Sequence, residues 1–198
     1  MPDQTAAAKN ALRVQLRERR RTMSPDEKDA ASAGLTNALK DLVTRTQARS
    51  VSCYMSTPFE PDTRPFLAWA VAEGLRVLLP VSRDDGLLDW ALAAEDGHEN
   101  VGLFGLSEPA GDVEAPRALE HVDLMLIPAA AVDESGMRMG WGRGYFDRAL
   151  GALTRQPPVY AVVFDHEVLP AVPHDLRDQP VTGVVTPART LDLAAHAR

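Results

Sequence analysis

The stretch GMRMGWGRGYFDRAL, residues 136–150, carries the densest chemical signal in the chain. It holds four glycines within nine residues, with Arg138, Arg143, Asp147 and Arg148 among and just after them. Glycines lack a Cβ, so the N–H groups around Gly140, Gly142 and Gly144 can converge on an anion. Arg138 and Arg143 add planar donors that suit phosphate oxygens. A helix is expected to begin near Tyr145, and its amino end would add unpaired N–H groups and partial positive charge. Asp147 falls in the first turn of that helix, where a carboxylate is tolerated and can hold a cation. The spacing matches neither the G-x-x-x-x-G-K-[ST] phosphate loop nor the G-x-G-x-x-G dinucleotide turn. Alone, the stretch reads as a phosphate cradle, of the kind that holds a nucleotide, and names no reaction.

Weaker signals lie elsewhere. In KNALRVQLRERRR, residues 9–21, Lys9, Arg13 and Arg17 recur every four residues and share one helix face that can reach an anionic ligand. The rest of that basic run reads as a solvated face. Glu60, in STPFEPDT, follows a strand ending near Met55 and can reach the same mouth of a sheet. His174 and Asp175 form a lone His-Asp pair, which is weak as a metal signal. Trp141 needs either a packing partner or a flat ligand, and Tyr145 and Phe146 read as an aromatic ligand wall or, for one of them, as core, whereas Trp69 and Trp90 read as core. Arg148 and Asp133 are expected to form a supporting ion pair or to touch ligand.

These residues need a scaffold. Residues 5–22 read as a first helix with Leu12 and Leu16 inward. A second helix starts at SPDE, where Ser24 caps, Pro25 takes the first position and Glu27 completes a capping box. RSVSCYM alternates Val51, Cys53 and Met55 as a strand. RPFLAWAVAEG reads as a helix capped by Asp62 or Thr63 and stopped by Gly74. LRVLLPV, LLDWALAA, VDLMLIPAAAVD, VYAVVF and PVTGVVT read as further strands, the third covered on both faces. Residues 97–117 read as a surface excursion. The alternation gives a single three-layer α/β domain with a central, mostly parallel sheet and helices on both faces. The chain has 198 residues, 45% hydrophobic and 25% charged, which suits one packed domain. Its formal net charge of −7 disfavours bulk nucleic-acid affinity. No apolar run approaches the about 20 residues of a membrane helix. One cysteine excludes an internal disulfide and fits a reduced, cytoplasmic setting.

Four stretches in order resemble the 5-formyltetrahydrofolate cyclo-ligase (5,10-methenyltetrahydrofolate synthetase) family. KNALR resembles its Lys-x-x-x-Arg helix, and YMSTPFEPDT its glutamate loop. PAAAVDESGMRMGWGRGYFDR is similar to its glycine signature. VPHDLRDQPVTGVVT is similar to its closing His-Asp segment and strand. The resemblance implies an enzyme that uses ATP and Mg²⁺ to cyclise 5-formyltetrahydrofolate, and a monomer is expected. Lys9 and Arg13 would contact ATP phosphates, with Arg13 also touching the folate. Arg138, Met139, Gly140, Trp141, Gly142, Arg143, Gly144, Tyr145 and Phe146 would wrap ATP. Met55 and Glu60 would line the folate site, bordered by Trp141, Gly142, Arg143, Gly144 and Tyr145. Arg143, Arg138 and Tyr145 would serve the phosphoryl transfer, and Asp147 and Asp175 would hold Mg²⁺. The sequence departs from the family pattern at Met139 (usually leucine), Phe146 (tyrosine), Arg143 (glycine or lysine) and Glu167 (glutamine in many members). The same architecture serves sugar-phosphate isomerases and CoA transferases, so an enzyme of that kind is one alternative. An RNA-binding relative using the basic helix is another.

Overall fold

In the computed structural model, residues 2–93, 99–105 and 107–193 are described. The expected excursion over 97–117 is described except at 97, 98 and 106, and the end of the LLDWALAA strand at 94 also lies outside the described residues. The helices are α1 (Pro2–Arg21), α2 (Pro25–Thr46), α3 (Arg64–Ala72) and α4 (Tyr145–Gly151). The strands are β1 (Ser50–Ser52), β2 (Arg76–Ser82), β3 (Leu88–Leu92), β4 (Glu99–Val101), β5 (Ser107–Pro109), β6 (Val113–Glu114) and β7 (Leu124–Pro128). After them come β8 (Ala131–Asp133), β9 (Arg138–Met139), β10 (Val159–Val162), β11 (Val168–Leu169), β12 (Gly183–Val185) and β13 (Thr190–Asp192).

The main sheet runs β13-β12-β10-β7-β1-β2-β3-β6. Its five central strands, β12, β10, β7, β1 and β2, are mutually parallel. Antiparallel β13 closes one edge, and antiparallel β3 and β6 close the other. Alternation along β7 assigns its residues to two cores. Leu124 and Leu126 join Leu35, Leu39 and Leu42 of α2 and Phe66 of α3. Met125 and Ile127 join Leu150 of α4 on the opposite face. Each such fully buried side chain contributes about 1.5–3 kcal/mol of apolar burial. The three-layer architecture with helices on both faces is therefore as expected.

Local signals explain the helix boundaries. Glu27 N donates to Ser24 Oγ at 3.2 Å and Ser24 N to Glu27 Oε2 at 2.8 Å, the expected capping box. At α3 the capping contact falls to Asp62, one of the two expected residues, and not to Thr63. Thr63 sits at the cap position, but its hydroxyl donates to Tyr54 O, and Asp62 accepts from Arg64 N instead. Gly74 ends the helix at φ +76 as expected.

The run VDLMLIPAAAVD is not one strand. It breaks after Pro128, and Ala131–Asp133 pairs in a separate sheet ordered β11-β8-β9. The Asp-x-x-Gly that follows is a hairpin turn. Asp133 Oδ1 accepts from Ser135 N, Ser135 Oγ and Met137 N, while Gly136 supplies φ +87. Helix α1 packs on this small sheet through Leu16, against Ala130, Ala131, Met139 and Val172, with Leu12 at the margin.

Cys53 is 1% exposed, and burial pushes its thiol up to about 12. The native chain should therefore resist iodoacetamide at pH 8, where the thiolate is the reactive form. Intact-mass measurement should show label only after denaturation. Comparable labelling of the native chain would contradict this burial.

Candidate active site

A cavity of about 270 Å³ opens at the carboxyl ends of the parallel strands. Met55 and Glu60 reach it from the segment after β1, Pro80 and Ser82 from β2, and Pro128 from the end of β7. Arg143, Tyr145 and Phe146 line it from the glycine loop and α4. This is the end of an open α/β sheet where ligands bind. Glu60 is held by the Thr57 N–H at 2.9 Å. Tyr145 donates its hydroxyl to Arg83 O at 3.2 Å, and Phe146 packs edge-on against Trp90 at 6.4 Å between centroids. Beside it lies a second cavity of about 350 Å³, lined by Arg17, Arg20, Arg21, Thr57, Phe59, Glu60 and Trp141. Glu60 borders both, so Met55, Glu60, Trp141, Arg143 and Tyr145 share one region.

The glycine loop owes its shape to two positions. Gly142 has φ +102 and Gly144 has φ +69, a conformation that side chains with a Cβ rarely adopt. Gly144 directly precedes α4, leaving that helix without a side-chain cap. Arg13 Nε donates to Gly140 O at 2.8 Å, latching α1 onto the loop. Arg148 Nη2 donates to Arg143 O at 2.8 Å and Nε to Gly86 O at 2.7 Å. Arg148 therefore braces the loop's backbone, and Asp133 serves the hairpin. Among the described residues neither forms the ion pair that is one expectation for them, because each is held by nearby backbone.

Two further expectations change. Arg138 is expected to offer its guanidinium to phosphate from the glycine loop. It lies instead on β9 at 2% exposure, with Nη1 donating to Asp147 Oδ1 at 2.7 Å and to Gln179 O at 3.0 Å. Hairpin pairing of Val132 with Arg138 draws it inward. Met139 is 1% exposed in the α1 core, so its side chain is not part of the loop surface.

Lys9 is also sequestered. Its Nζ donates to Asp175 Oδ2 at 2.9 Å and Asp178 Oδ2 at 2.5 Å. Burial works against the ammonium, but both carboxylates outweigh it and raise its pKa. The Lys9 hydrogen bond, aided by Arg177 N, lowers Asp175 to about 2. Gln179 N donates to Asp147 Oδ1, so the Lys9 cluster and the Arg138–Asp147 pair meet through residues 178 and 179. The two carboxylates expected to hold metal are thus already paired with cations. Among the described residues no group of three or more His, Cys, Asp or Glu could hold an ion. Mg²⁺ commonly takes one or two carboxylates together with phosphate oxygens and water, so Asp147 and Asp175 fit such an ion only alongside bound phosphate.

Three participants escaped sequence reasoning. Asp178 carries no motif apart from its place near Asp175. Glu108 lines the first cavity at 8% exposure and accepts from Ser82 N at 2.8 Å. Arg20, read as solvated, is buried against Glu167. A four-residue step back from Arg20 to Leu16 was the available clue that it faces inward.

The order of these parts along the chain is matched by known proteins. The 5-formyltetrahydrofolate cyclo-ligase family matches residues 5–187. The chain belongs to that family. A 5-formyltetrahydrofolate cyclo-ligase of Mycolicibacterium smegmatis is 33% identical over 187 residues, covering 92% of this chain and 95% of the relative. One from Escherichia coli K12 is 28% identical, covering 88% and 97%. The solved 5,10-methenyltetrahydrofolate synthetase of Aquifex aeolicus superposes with a TM-score of 0.80 at 27% identity, covering 96% of this chain and 95% of that one. The one from Mycoplasma pneumoniae, at 21% identity and a TM-score of 0.72, shares the fold. In this cyclo-ligase family member the glycine loop and the adjoining cavities form the candidate site.

Proposed function

We propose that this chain converts 5-formyltetrahydrofolate and ATP to 5,10-methenyltetrahydrofolate, ADP and phosphate, with Mg²⁺. Its main support, beside family membership, is the sharing of one cavity by Met55, Glu60, Arg143 and Tyr145. In that reading the folate occupies the cavity, with Glu60 accepting hydrogen bonds from the pterin. The triphosphate lies along the glycine loop and the amino end of α4, near Arg13 and Lys9. The formyl oxygen attacks the terminal phosphorus, and the bond to the ADP oxygen breaks. The tenth nitrogen of the folate then attacks the formyl carbon and loses its proton to solvent, and phosphate leaves with the former formyl oxygen. Bound Mg²⁺ would neutralise charge on the phosphate oxygens.

The chain's own contribution is positioning and charge. Loop N–H groups orient the phosphates, and Arg143 offsets charge as the phosphoryl moves. Tyr145, fixed by Arg83 O, and Trp141 keep the folate against the loop. Arg138 acts from behind, holding Asp147 in place. The chain is proposed to act as a monomer in a reduced, cytoplasmic setting, in line with its one cysteine.

Purified chain with ATP, Mg²⁺ and 5-formyltetrahydrofolate should give the near-ultraviolet absorbance of the methenyl product. Folded protein that gives none would refute the reading. Thermal stabilisation by a sugar phosphate and not by ATP with Mg²⁺ would favour the isomerase-like alternative.

A further inference from the structure

Arg20 and Glu167 form an ion pair in which both side chains are withdrawn from solvent, at 2% and 0% exposure. Burying such a pair commonly gains no stability over apolar residues of similar volume. Its surroundings suggest another use. The guanidinium donates from Nε to Glu167 Oε1 at 2.6 Å and from Nη2 to Glu167 Oε2 at 2.8 Å. Nη2 also donates to Ala129 O at 3.0 Å, and Nη1 reaches Phe59 O at 3.5 Å. Its Cζ lies 4.7 Å from the Trp141 ring centroid and 5.3 Å from that of Phe164. Glu167 is itself fixed, because Oε2 accepts from Phe164 N at 2.8 Å.

One guanidinium thus contacts three strips that border the candidate site. Ala129 marks the corner between β7 and β8. Phe59 precedes Glu60, which lines both cavities. Trp141 stands among the loop glycines, with Arg17 also lying over its ring at 5.3 Å. Arg20 lines the second cavity with Phe59, Glu60 and Trp141. A charged fork held by two carboxylate oxygens has a fixed plane, whereas one hydrogen bond would let it rotate.

We propose that Glu167 is a positioning residue: by fixing the plane of Arg20 it sets the spacing between the Phe59–Glu60 loop and Trp141, and with it the binding of the folate substrate. This inference rests on the proposed function. It also accounts for a carboxylate at a position where many family members have glutamine. In this chain the acid is the partner of Arg20 and leaves no uncompensated charge beside the site.

The test is steady-state kinetics of the full chain, with equilibrium folate binding followed by tryptophan quenching. Glu167→Gln keeps the shape and one acceptor but loses the charge and the fork. It should raise KM for 5-formyltetrahydrofolate and the folate dissociation constant about tenfold, leaving KM for ATP within about twofold. Single variants of a buried pair can unfold, so Arg20→Met/Glu167→Leu, which removes both charges, accompanies it. That double variant should melt at or above the temperature of the unaltered chain and show the same selective loss of folate affinity. A folded double variant with unchanged folate KM, or equal rises in both KM values, overturns the positioning role. If the unaltered chain neither forms product nor binds folate, the underlying reading fails and takes this inference with it.

Discussion

Replacing Arg143 with alanine should lower the turnover number about 10²-fold, the scale of losing one preorganised charge stabiliser. It should raise KM for ATP by no more than about threefold. Arg143 is exposed at the apex of the loop, between Gly142 and Gly144, and borders the cavity proposed for folate. Its backbone is held separately, through Arg148 Nη2 and the positive φ of both glycines, so truncating the side chain should leave the loop in place. Ground-state nucleotide would still meet the loop N–H groups, Arg13 and Lys9. What is lost is positive charge where the phosphoryl moves from ADP toward the formyl oxygen. An interaction that strengthens only in the transition state appears in turnover, not in uniform binding. Arg143→Lys should recover part of the loss, since an ammonium supplies the charge without the planar fork. Normal turnover with only a raised KM for ATP would contradict the role.

That prediction uses the part of the site most legible in the sequence. Four glycines in nine residues, arginines between them and a helix start at Tyr145 state a local geometry, and the loop follows it at Gly142 and Gly144. The α2 capping box was equally local. What escaped depends on pairing between distant segments. The apolar run through residues 122–133 gave no sign that the chain leaves the main sheet after Pro128, because both pieces are buried and equally apolar. Arg138 reads as a phosphate donor on the loop because its inward direction follows from the β8–β9 register, and a shift of one residue would reverse it. Arg20 and Glu167 lie 147 positions apart, and no spacing rule joins an arginine in a basic run to a glutamate after a strand. Asp178 was overlooked beside Asp175, although it is the more buried of the two, with side-chain exposures of 13% and 39%.

Lys9→Met should raise KM for ATP by roughly 10–100-fold, as expected for a charged hydrogen-bonding partner of the phosphates, with turnover changed far less. It should also lower the melting temperature, because Lys9 joins two carboxylates that would otherwise keep only backbone N–H donors and, at Asp175, the exposed Arg177 side chain. The stability effect has a definite pH window. Asp175 is lowered by Lys9 from an ordinary 3.8 to about 2, so its contribution is complete above 3.8 and is lost as pH falls through about 2. Lys9 is raised above its ordinary 10.5, so its contribution is complete below that value and is lost as pH rises through the raised one. The melting difference between the unaltered chain and Lys9→Met should therefore be flat between about pH 5 and 9 and shrink toward zero near pH 2. Methionine keeps the length and apolar burial of the lysine stem, so a difference that persisted undiminished at pH 2 would point to lost packing instead. An unchanged KM for ATP would remove Lys9 from the nucleotide site and leave it as a clamp between α1 and the aspartates at 175 and 178. A raised KM together with the flat window would mean that one ammonium serves both purposes, exchanging carboxylate for phosphate when nucleotide arrives.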